Sequence, residues 1–98
     1  MNLVEKVSII TGGGSGIGRA TAIALAQQGS KVCIVGRTSS KLTDVLNEIK
    51  LNKGEAIAIT ADIADYQAIE KAVEKVNNTW GRIDILVNNA GANIKNRG

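Results

Sequence analysis

At 98 residues the chain is long enough for one domain with its own core, and 44% hydrophobic against 21% charged residues is the ordinary balance of a soluble globular protein. No apolar run approaches a membrane span, and the absence of histidine removes the commonest metal ligand and general base. The formal charge of +3 comes from scattered basic residues, with only Trp80 and Tyr66 able to stack on bases, so the pattern argues against nucleic-acid binding.

The opening MNLVEKV has no extended apolar stretch with a small-residue cleavage site, so no secretory leader is expected and a cytoplasmic location follows by default. Val7, Ser8, Ile9 and Ile10 form a short, largely β-branched run that predicts a buried parallel strand. Beyond the glycine-rich stretch Thr11 to Gly18 (TGGGSGIG), the residues Ile17, Ala20, Thr21, Ala24, Leu25 and Gln28 recur at helical spacing, and Gly29 supplies a stop.

Strand, glycine loop and helix in that order make a phosphate cradle. The chain must turn tightly and let an anion approach the unpaired amides at the helix start, where the dipole also favours negative charge. Ser15 can cap the helix or donate to a phosphate.

Spacing excludes two common templates. GxGxxG fails because Gly12 with Gly14 leaves Ile17 at the third position, and Gly14 with Gly16 leaves Arg19. The P-loop fails because Arg19 and Ala20 follow Gly18 where a Lys and a Ser or Thr are required, which argues against nucleotide hydrolysis. What remains is TGxxxGxG on Thr11, Gly12, Gly16 and Gly18.

Lys31 to Gly36 predicts a second strand, inside which Cys33 reads as a buried, inert thiol with no disulfide partner. Leu42, Val45, Leu46 and Ile49 mark a second helix, with Thr38, Ser39 or Ser40 as its cap and Asn52 to Gly54 as its break. A third strand follows at Ala56 to Thr60. Asp65 is the expected cap of a third helix with Ile69, Ala72, Val73, Val76 and Trp80 on its apolar face, ended by Gly81. Ile83 to Val87 predicts a fourth strand, closed by the NNAG turn Asn88 to Gly91.

The alternation βαβαβαβ implies an α/β fold, a doubly wound parallel sheet of Rossmann-like type with strand order 3-2-1-4. A ligand crevice then opens beyond the carboxyl ends of strands 1 and 4, where TGGGSGIG and NNAG both fall. Residues 1–91 are expected to form a partial dinucleotide-binding domain and 92–98 a polar tail.

In order and spacing, TGGGSGIG, the turn after the second strand, Asp62 and NNAG resemble the short-chain dehydrogenase/reductase family. The resemblance spans essentially the whole chain but only the first part of such an enzyme. It implies an NADP-dependent oxidoreductase that interconverts carbonyl and alcohol groups, with 3-oxoacyl thioester reduction as one candidate reaction and sugar or other alcohol oxidation as others. It also assigns roles. Gly12, Gly14, Ser15, Gly16, Ile17 and Gly18 would pack on the cofactor pyrophosphate, and Thr11 would brace the loop against NNAG.

An acidic residue ending the second strand would accept the ribose 2′-hydroxyl of NAD, but Gly36 stands there and Arg37 follows, as in family members that take a 2′-phosphate. Ser15, Thr38 and Lys41 are placed to assist. The plainer reading of Arg37 is a solvated surface charge. Asp62 would meet the adenine amino group with Ile63 beside the ring, against the alternative of helix capping. Asn89, Ala90 and Gly91 would let the nicotinamide-side ribose approach.

The family's catalytic Ser, Tyr and Lys have no counterpart here. Tyr66 is followed four residues later by Glu70, no serine follows NNAG, and Tyr66 is expected to pack on a helix surface. The chain alone is therefore expected to be inactive. Its expected partners are a small carbonyl or alcohol substrate in the complete enzyme, with no nucleic acid and no membrane. Homo-oligomers are expected of the complete enzyme, and self-association through the open edge of strand 4 of a truncated one. The alternative is a non-catalytic nucleotide-binding or interaction module.

Overall fold

The computed structural model describes residues 2–62 and 66–89. Seven elements follow in chain order: β1 (Val7–Thr11), α1 (Gly16–Gln27), β2 (Lys31–Gly36), α2 (Ser39–Leu51), β3 (Glu55–Thr60), α3 (Tyr66–Trp80) and β4 (Ile85–Asn88). The four strands form one parallel sheet in the order β3-β2-β1-β4. This is the doubly wound architecture that the sequence predicts.

Both faces of the central strands are covered, which is why β1 and β2 read as continuous apolar runs rather than alternating ones. On one face Ile10, Val32 and Ile34 meet Ala22 and Ala26 of α1 and Leu42, Val45 and Ile49 of α2. On the other, Val7, Ile9, Cys33 and Val35 meet Ala72 and Val76 of α3. Each fully buried aliphatic side chain contributes about 1.5–3 kcal/mol, so these two clusters carry the fold. Ser8, Thr11 and Ser30 are buried polar residues, and Ser8 lies within the core. Its hydroxyl pairs with that of Ser30 at 2.7 Å, and Ser30 also reaches the Lys6 and Lys31 carbonyls, so no hydroxyl is stranded in the core.

Cys33 is fully buried, and loss of hydration pushes its thiol up to about 12, with Lys75 opposing weakly. Thiol reagents are therefore expected to label it only when the domain opens. Labelling in native buffer at the rate of a free cysteine would contradict this burial.

Two expectations need correction. The fourth strand begins at Ile85 rather than Ile83, because Ile83 packs into the second core from the preceding connection and Asp84 uses its side chain. The Asp84 carboxylate accepts the Val7 amide at 2.9 Å while the Asp84 amide donates to the Val7 carbonyl at 2.9 Å. Tyr66, expected to pack on the helix surface, is instead 77% exposed.

The Asp84 latch sets a pH dependence. Hydrogen bonds from Arg82, and then from the Val7 amide, hold the Asp84 carboxyl below the usual carboxylate range. A depressed folded-state pKa contributes stability that is complete above the ordinary carboxylate pKa and is lost as pH falls through the depressed value. Denaturant melts taken down the acid range should show Asp84→Asn less stable at neutral pH, with the gap closing as acid protonates the native carboxylate. A gap of constant size would remove the latch from the account.

Candidate functional site

Because all four strands are parallel, their carboxyl ends share one edge of the sheet, and the connections leaving that edge carry the residues singled out from the sequence. β1 leads into the glycine loop, whose first two amides, Gly12 and Gly13, donate to the Val35 carbonyl at 2.8 and 3.3 Å. The loop is thereby fastened to the end of β2. Thr11 donates its hydroxyl to Asn88 Oδ1 at 3.0 Å, with the Val87 carbonyl 3.4 Å away, so the brace to the Asn88 turn is present.

Gly18 decides how closely the two motifs approach. A Cβ at this position would fall on the Gly12 carbonyl oxygen and lie 2.9 Å from Asn89 Nδ2. No side chain fits between the start of α1, the glycine loop and the turn after β4. Gly16 is glycine for another reason, its φ of +57° with nothing within 4 Å of an added Cβ.

The start of α1 is left open. Ser15 occupies the N-cap position without a side-chain capping bond, and the first turn contains no acidic residue. The first-turn amides and the positive end of the helix dipole are therefore met by neither a side-chain cap nor an acid of the helix's own first turn. Ile17, 76% exposed, stands on the same turn, an apolar side chain at the mouth of the crevice.

A second open helix start lies alongside. Leu42 fills the space that side chains at Gly14 and Gly36 would need, its Cδ2 lying 3.5 and 3.2 Å from their built Cβ positions. This contact draws the first turn of α2 onto the loop and puts the Cβ of Lys41 3.2 Å from the Gly14 position. Leu42 carries only a core signal in the sequence, and this spacing role could not be read from it. Thr38 caps α2 by position alone, with no side-chain bond and no acid in the first turn. Among the described residues, neither Arg37 nor Lys41 forms an ion pair, whereas Arg19 is engaged by Glu48 across α1 and α2.

The structure thus brings Gly12, Gly14, Ser15, Gly16, Ile17, Gly18 and Asn89 together at one edge, which Arg37 also leaves directly after β2. Asp62, exposed just past β3, leaves the same edge. Ile63, Ala90 and Gly91 lie outside the described residues, as does the expected cap Asp65. Among the described residues no cluster of metal ligands forms, and no helix is long and apolar enough to cross a membrane.

A family model described as short chain dehydrogenase matches residues 6–97. The short-chain dehydrogenase/reductase homolog YusS of Bacillus subtilis is 37% identical, the match covering 92% of this chain and 84% of that protein. A 3-oxoacyl-[acyl-carrier-protein] reductase of Synechocystis is 43% identical over 91% of this chain and 36% of its own length. Among solved structures, L-sorbose reductase from Gluconobacter frateurii, complexed with NADPH and L-sorbose, superimposes with a TM-score of 0.87 at 35% identity, covering 93% of this chain and 35% of that one. Glucose dehydrogenase of Caenorhabditis elegans gives 0.86 at 35% identity, covering 91% and 39%. The chain therefore spans most of YusS but little more than a third of the other three.

Proposed function

This chain belongs to the short-chain dehydrogenase/reductase family, a family of oxidoreductases, and from that premise we propose that it is the cofactor-binding part of an NADP-dependent enzyme acting on a small carbonyl or alcohol. The observation that carries the reading is the closure at Gly18. The glycine loop, α1 and the Asn89 side chain approach so tightly that no Cβ is tolerated at Gly18, and a backbone that close-packed at a helix start fits the pyrophosphate of a dinucleotide.

Gly12, Gly14, Ser15, Gly16, Ile17 and Gly18 would hold that pyrophosphate, with the uncapped Ser15 hydroxyl as an added donor. Asp62 and Ile63 would receive the adenine, and Asn89, Ala90 and Gly91 the nicotinamide-side ribose. Arg37 would meet the 2′-phosphate, because Gly36 offers no carboxylate to repel it and the guanidinium has no ion-pair partner among the described residues. The NADPH of the sorbose reductase structure and the NADP of a related metagenomic oxidoreductase support this choice. When bound, the cofactor supplies hydride transfer, and this chain's residues bind and orient it.

The substrate is taken from the carbonyl and alcohol class, with the Synechocystis relative supporting 3-oxoacyl thioester reduction as one option. Residues 1–91 form the binding unit in this reading, and the 98-residue chain alone binds without turnover because the family's Tyr and Lys pair has no counterpart in it. A cytoplasmic, reducing location fits the single buried thiol. Calorimetric titration of the chain with NADP and with NAD tests the proposal. Saturable binding that favours NADP is expected, and failure to bind either dinucleotide overturns it.

A further inference from the structure

We propose that Arg19 is a second cation for the cofactor pyrophosphate, held back by Glu48, so that this ion pair sets the affinity for any dinucleotide, with or without a 2′-phosphate. The inference rests on the pyrophosphate reading of the glycine loop given above. Arg19 is the only charged residue of α1, whose sequence is GIGRATAIALAQ. It stands at the end of the opening turn, its amide donating to the carbonyl of the N-cap residue Ser15 at 3.2 Å. The helix dipole disfavours a cation there.

As a tie between helices the pair contributes little, because its side chains are 43% and 41% exposed and a solvated ion pair is screened. Stability therefore gives no reason for the charge. An anion bound at the helix start does, since it would draw on both the dipole and a neighbouring guanidinium.

The present position of that guanidinium is a withheld one. α1 and α2 lie on the same face of the sheet and, as crossovers between parallel strands, run in the same direction. Leu42 touches the Gly14 position, and Glu48 is six residues further on, about 9 Å of helix away from the loop. Arg19 Nη2 donates to Glu48 Oε1, so the side chain is drawn along the groove between the helices. Asp44, one turn nearer the loop, makes no ion pair among the described residues, which leaves Glu48 as the holder. Helical side chains lean toward the N-terminus and cover the preceding turn, so a released Arg19 swings back over Ser15. A bound pyrophosphate and the Glu48 carboxylate thus compete for one guanidinium.

Calorimetric titration with NAD and with NADP tests this, at about 0.01 M and about 1 M salt, where charges are screened over about 30 and 3 Å. At low salt Glu48→Gln is expected to raise the affinity for both dinucleotides about threefold and Arg19→Gln to lower both about threefold, with each effect collapsing at high salt. Glu48→Gln added to Arg19→Gln should change nothing, because the carboxylate acts through the guanidinium. A purely structural tie predicts otherwise: either single substitution would weaken binding. That result, unchanged affinities, or a Glu48→Gln gain that persists without Arg19 would each overturn the proposal. Binding of neither dinucleotide by the unsubstituted chain is a separate outcome, which would overturn the pyrophosphate reading and this inference with it.

Discussion

Gly18→Ala is expected to be the most damaging single methyl in the chain, destabilising the domain by about 3 kcal/mol or more and abolishing dinucleotide binding. The added Cβ would fall on the Gly12 carbonyl oxygen and within 2.9 Å of Asn89 Nδ2. Relief requires either the glycine loop to lift from the end of β2, breaking the Gly12 and Gly13 bonds to Val35, or α1 to slide along the sheet. Neither is a side-chain adjustment. A domain of this size has only about 5–15 kcal/mol in total, so urea melts should register the change plainly.

Gly16→Ala is the informative control. Its backbone has φ +57° but nothing stands within 4 Å of the new methyl, so the cost is the left-handed conformation alone, about 1–2 kcal/mol. The two substitutions add the same atom two residues apart and should differ by more than the error of a denaturation experiment. Equal melts, or a Gly18→Ala protein that keeps its NADP affinity, would remove the close approach from the argument.

The parts of the fold legible in the sequence are those where one physical cause dominates. β1 and β2 are buried on both faces, so Val7 to Ile10 and Lys31 to Gly36 stand out as apolar runs, and the positive φ of Gly29 and Gly81 ends α1 and α3 where glycine permits it. β4 was harder to bound. Ile83 is as apolar as a strand residue, but it packs from the connection, and the side-chain latch at Asp84 delays pairing with β1 until Ser8 meets Ile85.

Contacts between distant segments left no local signature. Arg19 with Glu48 and Trp80 with Glu55 are made by residues 29 and 25 apart, and nothing in the spacing of either announces its partner. Of the candidate site, the motifs and their common edge were readable because parallel strands put all their carboxyl ends together. The reason that Gly18 must be glycine was not, because it depends on Asn89, some seventy residues later, arriving against the same helix turn.

Arg37→Glu should reverse the cofactor preference proposed above. The substitution removes a charge-assisted partner for the 2′-phosphate and puts a carboxylate where it would repel that phosphate and accept the ribose hydroxyls instead. Hydrogen bonds to a charged group contribute about 1.5–3 kcal/mol, so NADP affinity should fall by roughly 100-fold while NAD binding holds or improves. Lys41 and the uncapped start of α2 remain, which keeps the loss below that of removing the whole anion site. The fold should be indifferent, since Arg37 is exposed and has no ion pair among the described residues to lose. Calorimetry with both dinucleotides, beside a urea melt, separates the outcomes: an unchanged NADP constant in a stably folded Arg37→Glu protein would return Arg37 to the status of a solvated surface charge.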